Sequence, residues 1–169
     1  MASTFSISKY NGVSPGTETV SMAYLHLINQ DVAANGVNDF RTTAANQITI
    51  PDTGNVFSYE IWLRGKWAGA YTEITNFKVW RSAGPVNGAG GLTFKAGVNG
   101  TTYVQPINTA STIALDSTFE NETDAIVVAV AGAAPNTISN FLVMQLTVAS
   151  TAVPGDIGAS TFSAKWTES

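Results

Sequence analysis

Asn-Gly occurs at Asn11, Asn35, Asn87 and Asn99, and Pro-Gly at Pro15 and Pro154, so the chain is punctuated by tight turns. Gly, and Asn less readily, tolerates the positive φ that such turns demand. Between them lie short runs rich in Val, Ile, Thr, Phe, Tyr and Trp, residues that suit a pleated, half-buried surface. No window carries a helical apolar stripe over three turns. The best helical candidate, Ser21 to Gln30, reads equally well as a strand with Met22, Tyr24, His26 and Ile28 on one side.

Strands are expected over Ser3–Tyr10, Val20–Asn29, Gln47–Ile50, Phe57–Trp67, Glu73–Trp80, Leu92–Lys95, Tyr103–Gln105, Thr112–Leu115, Ala125–Val130, Ile138–Ala149 and Thr161–Trp166. Many short strands with regular turn signals imply an all-β fold, an antiparallel β-sandwich with jelly-roll-like wiring. In the penultimate strand Leu142, Met144, Leu146 and Val148 share one face, and Val143, Gln145 and Thr147 the other. In IWLRGKW, Trp62 and Lys66 share one face, with Ile61, Leu63, Gly65 and Trp67 on the other. With a tryptophan on each face, at least one is expected at a surface, where aromatics serve sugar stacking or protein interfaces.

The length of 169 residues suits one domain over 1–169 with a single core. Charged residues are 12% of the chain, about half of the roughly 25% typical of soluble domains. The surface is therefore neutral-polar or partly covered by other subunits. Hydrophobic residues at 44% supply enough apolar area for folding, which argues against a disordered Gly/Ser/Thr-rich chain. A net charge of −4 with eight scattered basic residues offers no patch for phosphates, so no nucleic-acid partner is expected. The uncharged stretch from Ala125 to Gly155 contains AIVVAVAGAA, too short to span a membrane and closed by Pro135 and Asn136; a buried strand is expected. The start MASTFSISKY does not read as a secretory signal, which implies synthesis in a cytoplasm.

ITNFKV, Ile74 to Val79, returns as ISNFLV, Ile138 to Val143. Each follows a strand and a Gly/Ala-rich turn and precedes a TF-containing strand, which raises an internal hairpin repeat over 58–80 and 122–144. The competing reading is chance convergence of short strands drawn from few residue types. In either case Phe77 with Val79, and Phe141 with Val143, are expected to enter the core, with Asn76 and Asn140 on the opposite face.

No constellation specifies a reaction. His26 is the only histidine and cysteine is absent, so sites with several His ligands and thiolate metal sites are excluded. A lone His on an apolar strand lacks the positioned partner that a general base needs. Glu60 and Glu73 flank the first expected hairpin, and carboxylates about 5–10 Å apart can hydrolyse glycosides; pairing with Arg64, Lys66 or Lys78 is the plainer role. Asp116, Glu120, Glu122 and Asp124 lack the alternation of a calcium loop and read as a solvated loop that keeps AIVVAV from pairing with other chains. GPVNGAGGL, Gly84 to Leu92, is not a phosphate-binding loop and reads as a surface loop able to reach a neighbour. No catalytic, cofactor-binding or metal-binding residue is assigned, and no cofactor is expected.

SKYNG near the start, YEIWLRGKWAG leading to ITNFKVWRSAG, then TYVQPINTAST, and the ending FLVMQL to TFSAKWTES give the chain a cadence that resembles small β-rich structural proteins of tailed-bacteriophage virions. The resemblance implies a capsid decoration or cement protein, non-enzymatic, assembled in the host cytoplasm onto the capsid exterior. Its implied partners are the major capsid protein and copies of itself, with a trimer favoured. Alternatives are a tail, fibre or receptor-binding component, a carbohydrate-binding module using exposed Trp, and a small glycosidase using Glu60 and Glu73.

Overall fold

The computed structural model describes residues 3–20, 27, 31, 47–84, 87–155 and 160–169. His26 and most of the strand expected over Val20–Asn29 lie outside the described residues, as do Asn35, Pro85 and Val86.

The strands are β1 (Thr4–Asn11), β2 (Thr17–Val20), β3 (Asn55–Phe57), β4 (Ile61–Ala68), β5 (Ile74–Ala83), β6 (Leu92–Asn99), β7 (Ile126–Val127), β8 (Val130–Ala131), β9 (Thr137–Ser139), β10 (Phe141–Ala149) and β11 (Thr161–Glu168). Every pairing is antiparallel. In the large sheet β2, β1, β4 and β10 lie side by side; β3 continues the β4 side of β10, and β6 takes the other side. β9 pairs with β4, and β8 with β9. The small sheet is β11-β5-β7. The two sheets pack as an antiparallel β-sandwich, the fold class expected from the sequence.

The period-two alternation of the strands builds the core between the sheets. From the large sheet come Leu63 and Trp67 of β4, Phe94 and Ala96 of β6, and Leu142, Met144, Leu146 and Val148 of β10. Ile74, Phe77 and Val79 of β5 meet them from the small sheet. Phe5, Trp67 and Phe77 form one aromatic group, with Trp67 edge-on to Phe77 at 4.9 Å. Phe94, Phe119 and Phe162 form a second group. The fully buried rings among them, Trp67, Phe77 and Phe119, each stabilise the fold by about 1.5–3 kcal/mol.

The other face of the large sheet is also buried. Trp62, Phe141 and Val143 pack there beneath Tyr103, with Tyr10, Ile113 and Leu115 at the margin. The cover is the segment from Gly100 to Leu115, expected to contain two strands and observed as irregular backbone. Trp62 and Trp67 point to opposite faces, as expected, yet each is 1% exposed. The expectation that one of them reaches a surface is corrected: the alternation was right, but a distant segment hides the second face. The strand expected over Gln47–Ile50 is likewise irregular, and Ala125–Val130 divides into β7 and β8, one in each sheet.

The hexamers that resemble each other occupy unrelated places. ITNFKV lies in β5 at the centre of the small sheet, whereas ISNFLV runs through β9 and β10 in the large one. The hairpin expected over 58–80 does not form, because β4 and β5 belong to different sheets. Phe141 and Val143 accordingly bury beneath Tyr103 rather than between the sheets.

What the two copies share is a β-bulge. Thr75 pairs with Thr167 and Lys78 with Lys165, so Asn76 and Phe77 together oppose Trp166 alone. Ile138 pairs with Lys66 and Leu142 with Leu63, so β9 and β10 also carry one residue more than β4. An extra residue reverses strand parity. Ile74 and Phe77 therefore face the same side, and so do Ile138 and Phe141. Asn76 has φ 53, the left-handed region that Asn tolerates better than most residues.

Candidate functional site: the outer faces of the two sheets

The outer face of the large sheet is held by polar side chains placed among the rings. Gln145, 2% exposed, donates from Nε2 to the carbonyls of Ser58 at 3.0 Å and Thr109 at 2.8 Å. Its Oε1 accepts from the Ser111 N–H at 3.2 Å. A single amide thus ties the 107–111 loop to the sheet centre. The signal in the sequence is one polar residue inside the apolar run FLVMQL.

Glu60 lies beneath the same cover. It is 3% exposed, and its Oε2 accepts from the indole N–H of Trp62 at 3.0 Å. Burial, with the nearby Asp31 and Glu60 carboxylates, pushes the Tyr103 hydroxyl well above the usual tyrosine range. That hydroxyl donates to the Gly12 carbonyl at 2.8 Å.

Glu73 is exposed at the opposite end of β4, whose eight residues span roughly 26 Å. Glu60 is thus buried before β4 while Glu73 is exposed beyond its far end. Neither glutamate side chain pairs with Arg64, Lys66 or Lys78. Arg64 stacks on Phe141 at 4.8 Å and donates to the Ser139 carbonyl. Lys66 pairs with Glu18, which also accepts from the Tyr10 hydroxyl at 3.0 Å.

The acidic run is dispersed over separate partners. Asp116 accepts from the N–H and hydroxyl of Thr118, both at 2.8 Å. Glu120 pairs with Arg81, Glu122 with Lys165, and Asp124 accepts from the Asn121 amide. Among the described residues no three His, Cys, Asp or Glu side chains converge on a point that could hold a metal ion.

From Asn87 onward, the Gly84–Leu92 segment is anchored by Asn87 itself. Its Oδ1 accepts from the Phe94 N–H at 2.8 Å and its Nδ2 donates to the Ser117 carbonyl at 2.6 Å. A short 3-10 turn, Ala89–Gly91, follows.

The outer face of the small sheet is arranged differently. Val127, Lys78 and Lys165 stand in one cross-strand row, with Trp80 opposite Ser163 in the next. Val127 is 61% exposed, Lys165 is exposed, and Trp80 and Lys78 are half-buried. This face presents the tryptophan whose outward position the alternation of β5 allows. Among the described residues no helix is long and apolar enough to cross a membrane.

No family model matches the chain, and neither a curated protein nor a solved structure does.

Proposed function

We propose that the chain is a virion structural protein that decorates the exterior of a tailed-bacteriophage capsid and cements it through subunit contacts. The observation that carries this reading is the outer face of the small sheet, where the exposed Val127 stands in one row with Lys78 and Lys165 and Trp80 in the next. A tryptophan beside an apolar side chain, rimmed by long cations and small hydroxyls, has the make-up of a protein-binding patch. The jelly-roll-like wiring, the major capsid protein as partner and a trimer on the lattice belong to the same reading. Each bound copy adds free energy that must be overcome before the shell breaks.

The test is the stoichiometry of the chain in purified virions, combined with the heat release of packaged DNA. The proposal expects a copy number set by the capsid lattice, earlier DNA release from particles lacking the chain, and weaker particle binding by Val127→Asp. A few copies per virion, located on the tail, would replace it with the tail or fibre reading.

A second reading, a carbohydrate-binding module, is favoured by Trp80 alone. Trp62 is buried and cannot stack on a sugar. Glycan-array binding that disappears in Trp80→Ala while particle binding persists would establish this second reading in place of the first.

A further inference from the structure

Asn-Gly, the dipeptide that marks the turns of this chain, is also one in which a backbone can modify itself. Glycine carries no Cβ to shield its nitrogen, which can therefore reach the side-chain carbonyl of the preceding asparagine when the pair has room to turn. In a folded chain that room is limited by hydrogen bonds on two groups, the glycine N–H and the asparagine amide. The pairs at Asn11, Asn87 and Asn99 are among the described residues.

Two of these pairs are held. The Gly88 N–H donates to the Leu92 carbonyl at 2.7 Å, and the Asn87 amide is bonded at both ends, to the Phe94 N–H and the Ser117 carbonyl. The Gly12 N–H donates to the Asp31 carboxylate at 2.6 Å, while Asn11 Oδ1 is shut away from solvent.

Asn99 is held far less. It is the last residue of β6, and Gly100 and Thr101 beyond it are exposed. Among the described residues the Gly100 N–H has no acceptor. The Asn99 amide makes one exposed bond, from Nδ2 to the Thr102 carbonyl at 3.1 Å, which leaves the side-chain carbonyl unengaged by any described residue. Nothing stands within 4 Å of the point where a Gly100 Cβ would lie, so this turn has open space around it.

We infer that Asn99–Gly100 is a self-modifying site of the folded protein. The Gly100 nitrogen attacks Asn99 Cγ, the Cγ–Nδ2 bond breaks, and Nδ2 leaves as ammonia with the proton that the Gly100 amide gives up. Water then opens the cyclic imide. Opening at Cγ yields aspartate; opening at the main-chain carbonyl of residue 99 yields isoaspartate, whose backbone is longer by a methylene. Either product replaces a neutral amide with a carboxylate.

The position gives the change a consequence. Gly100 begins the segment that covers Trp62 and Phe141, and its carbonyl accepts from the Phe141 N–H at 3.2 Å. Tyr103 follows, its ring 5.4 Å from Trp62 and its hydroxyl on the Gly12 carbonyl. A methylene inserted at residue 99 shifts Tyr103 against β1 and β4, so the converted chain covers the outer face of the large sheet less tightly.

The experiment is timed incubation of the purified full chain in mildly alkaline buffer, folded and in guanidinium chloride. Proteolysis and mass spectrometry locate the conversion, and isoaspartyl methyltransferase labelling identifies isoaspartate. In denaturant Asn11, Asn87 and Asn99 should convert at rates within about threefold of one another, because the contacts that distinguish them are gone. In the folded chain Asn99 should convert at least about tenfold faster than either of the others. Gly100→Ala, for which there is space, should slow conversion at Asn99 at least about tenfold while circular dichroism and thermal unfolding stay parental. Hydrogen exchange at Tyr103 should be faster in the converted chain than in the fresh one. Conversion at Asn99 no faster than at Asn11 or Asn87 in the folded chain, or a Gly100→Ala chain that converts like the parent, overturns the site. Conversion with unchanged exchange at Tyr103 overturns the loosening of the cover.

Discussion

The Gln145 side-chain amide donates to the Thr109 carbonyl at 2.8 Å, joining the middle of the large sheet to the loop that covers it. The same amide serves the Ser58 carbonyl and the Ser111 N–H, and Gln145 is 2% exposed. Gln145→Leu keeps most of the volume but leaves these backbone groups without their partner. We expect a loss of about 2–4 kcal/mol in urea unfolding. Hydrogen exchange at Ser111 should accelerate well before the strands open. An unchanged midpoint with unchanged exchange would show that the loop is held by its apolar contacts instead.

Glu60 and Trp62 form a second buried pair, with the indole N–H on Oε2 at 3.0 Å and Oε1 without a hydrogen-bond partner. Glu60→Leu and Trp62→Phe should each cost about 1–3 kcal/mol, and the double variant about 1 kcal/mol less than their sum. Strict additivity in the thermodynamic cycle would mean that the bond contributes nothing.

At Asn76 the backbone stands at φ 53, at the point where β5 carries one residue more than β11. Asn76→Val places a β-branched side chain in the left-handed region and should destabilise by about 1–3 kcal/mol. Asn76→Gly accepts the same backbone and should stay within about 1 kcal/mol of the parent. Thermal unfolding of the two variants decides this, and a valine variant as stable as the glycine one would remove the bulge from the account.

These results mark what the sequence carried and what it could not. Leu142, Met144, Leu146 and Val148 were assignable to one face because alternation is a local property. The tryptophans of IWLRGKW were assignable to opposite faces for the same reason. The burial of Trp62 was not, since it depends on Tyr103 and Leu115 arriving from a segment whose own pattern suggests strands. Ile-Thr-Asn-Phe and Ile-Ser-Asn-Phe look like a duplicated unit, yet they lie in different sheets, and of the two asparagines Asn76 takes the left-handed region while Asn140 does not.

Glu18 links the edge strand to Lys66 and Tyr10. Burial would raise its carboxyl, but hydrogen bonds from Lys66 and Tyr10, together with the Lys66 charge, hold it below the usual glutamate range. A group depressed in the folded state stabilises it above the unfolded pKa, and that contribution disappears as the pH falls through the folded value. The parent should therefore lose about 1 kcal/mol or less on acidification from this site. Glu18→Gln should be less stable than the parent at pH 7 and converge with it in acid. Parallel stability curves for the two chains from pH 7 to pH 3 would contradict the linkage.

Gly97 sits on the outer face of β6, opposite Val143, where the covering segment makes its closest approach. A Cβ there would stand 2.2 Å from the Ala114 carbonyl oxygen and 3.0 Å from Leu115. The obstacle is backbone, so a side-chain rotation cannot relieve it. Gly97→Ala must push the segment around Ala114 away from the sheet, which strains the antiparallel bridge between Ala96 and Asp116. We expect a stability loss of about 1–3 kcal/mol, the range for overpacking a well-filled site. A folded Gly97→Ala chain with parental stability in thermal unfolding would place the covering segment farther from β6.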